Sequence, residues 1–318
     1  MLKGRIFSLT SLLIGILTVS TAAIFIRFAQ GGAPSIVIAA IRLTTAAIVL
    51  APIAYYQYRK NLFVISKKEL IFLILSGFFL SIHFATWITS LEYTSIASSI
   101  VLVSTTPLWV ALLSPIFLKE KNNATIWIGL FLALSGSCLV ALSNQCSLST
   151  DNLLSCEIRG LHFNQSTLLG NALALVGAWT AAGYMMVGRK VRANLPLIKY
   201  IFYVYSFSAI YLLMFVFASK QVLVGYSAQT YLWMLLLGLL PQLFGHSIFN
   251  WALGYLPAAF VSIALIGEPI GTILLAFFFL QEMPNSLETI GGFLILSGIF
   301  LVSFLTPRKN RDKSQVVD

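Results

Sequence analysis

The chain has 318 residues, 58% of them hydrophobic and only 9% charged, against about 25% charged in an ordinary soluble domain. No globular interior hides that much apolar surface, so the expected solvent is the bilayer. The formal net charge of +10 would suit nucleic acid, but its placement along the chain points to membrane orientation, and no nucleic-acid partner is expected.

Ten apolar runs are long enough to cross a core of about 30 Å at 1.5 Å per residue. They fall at 6–29, 35–56, 70–91, 95–118, 124–143, 167–188, 197–219, 230–253, 257–280 and 287–305. They are continuously apolar, whereas a barrel strand alternates apolar and polar residues, so helices are expected.

The first run follows Lys3 and Arg5 and meets Ser20-Thr21-Ala22-Ala23, the outline of a signal peptide. Its apolar stretch continues through Phe28, and a retained helix is expected. Arg27 is near the end of this run and can snorkel. The second run carries Arg42 roughly 10 Å below the outer surface. A cation at that depth pairs with an acid such as Glu268, attracts a substrate carboxylate or snorkels outward.

In the third run His83 and Trp87 are four residues apart, on one helix face. The fourth has Pro107 near its middle, a candidate hinge. Cys138 in the fifth reads as a small packing residue. The polar stretch 144–166, which holds His162, reads as a flexible linker. Its Cys146 and Cys156 can form a disulfide if the loop faces an oxidising compartment. The three cysteines include no CxxC pair, so no metal site and no cofactor is expected.

Ala174, Ala178 and Ala182 in the sixth run form a close-packing stripe. Trp179 and Tyr184 of the same run join Trp87 as candidate aromatic walls. In the eighth run Gln242, His246 and Asn250 share a face at helical spacing. Buried imidazoles and amides need hydrogen-bond partners, supplied either by a polar cavity or by neighbouring helices in a packed bundle.

The ninth run holds Glu268 near the midplane, where an ionised acid costs about 2.5–3.5 kcal/mol on insertion scales. It should face a cavity, have a partner or be protonated. Pro269 removes a backbone donor beside it and is the second candidate hinge. Gly267 and Gly271 allow a close backbone approach. Two readings stay open: a proton or substrate site on a kinked helix, or a structural kink with a protonated, hydrogen-bonded acid. Tyr93 and Tyr255 read as interfacial anchors, Glu120 and Glu282 as structural acids at span ends, and Asn285 with Glu288 as a capping box.

The second half of the chain repeats the first at an offset of 162 residues. Arg27 matches Arg189, Pro34 matches Pro196, Tyr93 matches Tyr255, Pro107 matches Pro269, Glu120 matches Glu282 and Gly136 matches Gly298. At the mid-span proline the halves differ: Glu268-Pro269 is matched by Thr106-Pro107. Each copy has five spans, an odd number, so the second enters the membrane from the opposite side. Of the 20 basic residues, all but Arg27, Arg42, Arg159 and Lys220 fall on one side of this topology, which places both termini in the cytoplasm.

The expected fold is therefore an all-α integral membrane protein, ten transmembrane helices as two inverted five-helix repeats. The repeats cover 6–143 and 167–305, with an outer connecting loop at 144–166 and a cytoplasmic basic tail at 306–318.

The segments ALLSPIFLKEKNNATIWIGLFLALSGSCLVAL, preceded by Pro107, and ALIGEPIGTILLAFFFLQEMPNSLETIGGFLILSGIFLV resemble the EamA family of the drug/metabolite transporter superfamily. Both carry a mid-span proline, an acid at the span's end and a late glycine in the following helix. Arg42 in APSIVIAAIRLTTAAIVL is similar to the family's second-span arginine. The resemblance implies a ten-helix carrier of small metabolites, often amino acids or related compounds, and names no substrate.

With no P-loop to hydrolyse ATP, the expected function is secondary-active transport by alternating access. The halves would move about a cavity lined by spans one, three, four, six, eight and nine. The expected partners are a small-molecule substrate, the lipid bilayer and a proton as candidate coupling ion. The expected location is a plasma or bacterial inner membrane, and the oligomeric state is left open. Substrate-binding or coupling candidates are Arg42, His83, Trp87, Gln242, His246, Asn250 and Glu268. The alternatives are a membrane receptor or assembly subunit, or an intramembrane enzyme using His83, His246 and Glu268. HExxH and GxSxG are absent from the chain.

Overall fold

A computed structural model describes residues 2–94, 96–142, 146–147, 155–156, 165–275, 277–278, 283 and 286–305. The first repeat comprises α1 (Leu2–Gln30), α2 (Ser35–Tyr58), α3 (Lys67–Tyr93), α4 (Ile96–Val103), α5 (Thr106–Phe117) and α6 (Ala124–Leu142). The second comprises α7 (Gln165–Val191), α8 (Leu197–Ala218), α9 (Ala228–Leu237), a π-helical stretch Gly238–His246, α10 (Ser247–Tyr255), α11 (Ala258–Leu265), α12 (Glu268–Leu275) and α13 (Ser286–Leu305). Eight of the resulting segments are long and apolar enough to cross a membrane, and Ala124–Val140 and Ser286–Val302 are shorter apolar helices. Together they form ten spans, five per repeat. In the connecting stretch, the two-residue strands β1 (Cys146–Ser147) and β2 (Ser155–Cys156) pair antiparallel with Cys146 opposite Cys156. Their side chains, and with them the question of a Cys146–Cys156 disulfide, lie outside the described residues.

Local chemistry sets the helix ends. α2 and α8 each start directly after a proline, Pro34 and Pro196, whose fixed φ suits a helix entrance. α3 starts earlier than hydropathy alone predicts because Ser66 and Glu69 form a capping box: the Ser66 hydroxyl accepts from the Glu69 amide and the Glu69 carboxylate accepts from the Ser66 amide.

Three spans depart from single straight helices. Spans four and nine, expected as the continuous runs 95–118 and 257–280, are each broken near the middle, and at repeat-related positions. α4 ends at Val103 and α11 at Leu265; α5 starts at Thr106 and α12 at Glu268. The same turn bonds close both breaks: Thr105 N to Leu102 O at 3.2 Å, and Gly267 N to Ala264 O at 3.0 Å. Pro107 and Pro269 each take the second position of the new helix, where a missing N–H costs nothing. In span eight the π-helical stretch surrounds Pro241, whose missing donor interrupts the usual ladder.

Packing follows the repeat. α2 lies on α8 and α6 on α13, each helix against its own counterpart. α1 packs on span eight as α7 packs on α3. At the α6–α13 crossing a Cβ on Gly291 would stand 2.6 Å from Gly136 O, and a Cβ on Gly129 would stand 2.9 Å from Gly298 O. Gly129 and Gly136 are the repeat partners of Gly291 and Gly298, so the contact exchanges partners as a two-fold axis between the helices requires. Elsewhere Gly267 and Gly271 seat α12 against Ile16 and Ser20 of α1. Ala174, Ala178 and Ala182 are buried on α7.

Candidate functional site

The two broken spans meet at a cavity of about 110 Å³. Its walls come from both repeats: Ala22, Arg42, His83, Trp87, Ser104, Thr106 and Pro107 from the first, and Tyr184, His246, Asn250, Ser262 and Glu268 from the second. Spans one, three, four, six, eight and nine contribute as expected from sequence, and span two joins them through Arg42.

Arg42 is 0% exposed, so it does not snorkel. Its Nε donates to Gln242 Oε1 at 2.9 Å, and its guanidinium carbon stands 4.0 Å from the centre of the Phe84 ring. Its Nη1 has no partner. Among the described residues no carboxylate oxygen approaches Arg42 within 4.0 Å, so Glu268, which faces the same cavity, is not in direct contact with it.

Gln242 is buried but is not part of the cavity wall. It holds Arg42 from behind, while Tyr205 O–H donates to the Gln242 carbonyl at 3.3 Å. The expectation that Gln242, His246 and Asn250 share one face assumed ordinary helical spacing. The wider turns of the π-helical stretch change the angle per residue, and only His246 and Asn250 reach the cavity.

His83 Nδ1 lies 2.9 Å from Gly177 O. A carbonyl only accepts, so Nδ1 carries the hydrogen, and the neutral ring keeps Nε2 as an acceptor. The ring stacks on Trp87 with centroids 5.8 Å apart and an 8° interplanar angle. The Trp87 indole N–H is buried without a partner. His246 stands edge-on to Phe84 at 5.5 Å. Asn250 accepts from Tyr184 O–H at 2.6 Å and donates to Tyr205 Oη at 3.2 Å, so its amide is already committed to helix–helix bonding.

Glu268 opens α12, and α1 touches its backbone: the single hydrogen of Ser20 Oγ is shared between Ile16 O at 2.7 Å and Glu268 O at 2.8 Å. Thr272 Oγ1 donates to the Glu268 carbonyl at 3.1 Å. Pro107 lines the cavity; Pro269 does not. Trp179 is 46% exposed and packs edge-on against Trp109 at 5.5 Å; it forms no wall. Sequence reading did not single out Ser104, Ser262 or Thr106 as lining residues. Thr106 was legible as the repeat partner of Glu268; the two serines carried no signal.

A hydrogen-bonded cluster borders the cavity at Leu253 and Asn250. Arg189 Nε donates to Glu120 Oε1 at 2.6 Å, and Arg189 Nη1 donates to Leu253 O at 2.9 Å. Glu120 Oε2 accepts from Ala258 N at 3.1 Å. Leu253 itself lines the cavity. Arg192 Nε donates to Asn250 O at 3.1 Å. Glu282 and Asn285, the other acid and cap read from sequence, lie outside the described residues.

The sequence profile described as the EamA-like transporter family matches residues 6–142 and again 168–304. The chain belongs to the EamA-like transporter family. The two matched stretches of this EamA-like protein begin and end 162 residues apart, the offset of the internal repeat. An uncharacterized transporter of Archaeoglobus fulgidus is 24% identical over 73% of this chain and 74% of its own length. The uncharacterized transporter YoaV of Bacillus subtilis is 24% identical over 87% of this chain and 89% of its own length. A protein of known crystal structure superposes with a TM-score of 0.75 at 16% identity, covering 94% of this chain and 96% of that one; that likeness concerns the fold. The EamA-like chain is thus a multi-pass membrane protein of a transporter family.

Proposed function

We propose that the protein is a secondary-active carrier, not an enzyme, that moves a small metabolite such as an amino acid or a related compound by alternating access. The single observation that carries this reading is the cavity placed where both repeats break a span at the same position. Inverted repeats with discontinuous helices at a central site can rock about it and expose it to each side in turn. The repeats 6–143 and 167–305 are the moving halves, 144–166 is the outer connection and 306–318 is a cytosolic tail.

The bias of Lys and Arg orients both termini, and the Arg189–Glu120 cluster with them, toward the cytosol. The membrane is a plasma or bacterial inner membrane. Arg42, His83, Trp87, His246 and Glu268 meet the substrate or the coupling proton; Gln242 positions Arg42, and Asn250 braces Tyr184. Pro107 and Pro269 set the hinges.

The test has two parts. Single cysteines at positions 83, 246 and 268, in a background without the three native cysteines, are challenged with an impermeant thiol reagent from each side. Protection from both sides in every condition rejects the cavity as a transport site. Flux of labelled metabolites into vesicles containing only this protein separates a carrier from a receptor or an assembly subunit.

A further inference from the structure

The cavity also indicates what kind of ligand it takes, if it is the transport site proposed above. Two buried donors in its wall, Arg42 Nη1 and Trp87 Nε1, have no acceptor, and Gln242 Nε2 behind the wall is a third. Arg42 is the stronger signal. A guanidinium does not lose its proton in a protein, and a buried cation with neither ion pair nor full hydrogen bonding is costly. The arrangement calls for an acceptor-rich ligand bearing negative charge.

We propose that, within the small metabolites considered above, the cavity takes a compact organic monoanion in preference to a zwitterionic amino acid, held on Arg42 together with one proton on Glu268. With Glu268 ionised and the cavity empty, its charge balances that of Arg42 across the space between them. An entering anion displaces that balance, and protonation of Glu268 restores it, so anion and proton bind as a neutral unit. The volume limits the ligand: a cavity of about 150 Å³ holds benzene, and this one is about 110 Å³. The Trp87–His83 stack offers a flat apolar wall for the uncharged part.

The titratable groups that share the cavity with Glu268 are Arg42 from α2, His83 from α3, Tyr184 from α7 and His246 from span eight. α1 and α13, which pack on α12, carry Arg27 in the last turn and Glu288 in the first turn respectively, and neither lines the cavity.

The experiment is equilibrium dialysis of the purified full-length protein in detergent against four small matched probes: propionate, propionamide, propylamine and the zwitterion alanine. Propionate is expected to bind at least about tenfold more tightly than the other three, with uptake of about one proton per propionate from weakly buffered solution. Its affinity should fall about tenfold per pH unit on the alkaline limb, as one linked proton requires. Glu268→Gln should flatten that slope, and Arg42→Gln should remove the preference for propionate while Arg42→Lys retains part of it. Elution as a single monodisperse peak establishes that each variant is folded. Preference for propylamine or alanine, propionate binding without proton uptake, or no binding of any of the four overturns the proposal and leaves the carrier reading intact. Absence of flux for every class of compound overturns the carrier reading itself.

Discussion

The two broken spans share a backbone and differ in chemistry. Both stop and restart at positions 162 residues apart, both are closed by the same turn bond, and both place a proline second in the new helix. At the first break Thr106 Oγ1 bonds to Val103 O at 2.8 Å and lies 3.4 Å from Ala178 O, so its polarity is spent within the protein. At the second break the equivalent residue is Glu268, which lines the cavity and has no carboxyl hydrogen bond among the described residues, while Ser20 of α1 bonds its backbone carbonyl. A duplicated fold can keep a helix break in both halves and place ionisable chemistry in one.

The largest effect that would break this comparison is at the acid. Glu268→Gln should abolish proton-gradient-driven accumulation in vesicles, a loss of more than about tenfold, while sparing some exchange. Thr106→Val should change either rate by less than about twofold. Equal effects from the two substitutions would erase the asymmetry. Next is transfer of the acid: Thr106→Glu puts a second carboxyl at membrane depth, at about 2.5–3.5 kcal/mol on insertion scales. Thermal unfolding in detergent should register it as a clear loss of stability without restoring transport to Glu268→Gln.

The two prolines should behave alike where Thr106 and Glu268 do not. Pro107→Ala and Pro269→Ala each permit the helix to continue through the break, and each should slow flux several-fold with little change in unfolding temperature. If only one does so, the backbone equivalence of the two breaks is functional in one half alone. The smallest effect concerns the tether. Ser20→Ala removes the donor to the Glu268 carbonyl and should cost about 1 kcal/mol of stability, the usual net worth of one hydrogen bond, with Thr272 still bonded there.

Much of this fold is legible in the sequence, for identifiable reasons. A run of about twenty apolar residues has few alternatives to a membrane helix, and the repeat shows itself through Pro107 and Pro269 and through Gly136 and Gly298. The breaks were legible only as prolines, because Thr106 and Gly267 do not by themselves announce an unwound turn. The site was legible as a set of deep polar residues and not as an arrangement. Trp179 has the same composition signal as Trp87, yet it faces outward. Gln242 matches His246 in spacing, yet it stands behind Arg42 because the π-helical stretch alters the turn.

By itself the sequence determined how many times the chain crosses the bilayer, that its halves run in opposite senses, and which polar side chains lie at membrane depth. These follow from length, charge bias and hydropathy, which are read along the chain. Only the tertiary structure decided that Arg42 is turned inward with a free donor, that Glu268 faces it without touching, and that Asn250 is spent on Tyr184. Those outcomes depend on how each helix is rotated about its axis when packed, and that rotation is set by contacts between residues distant in the chain.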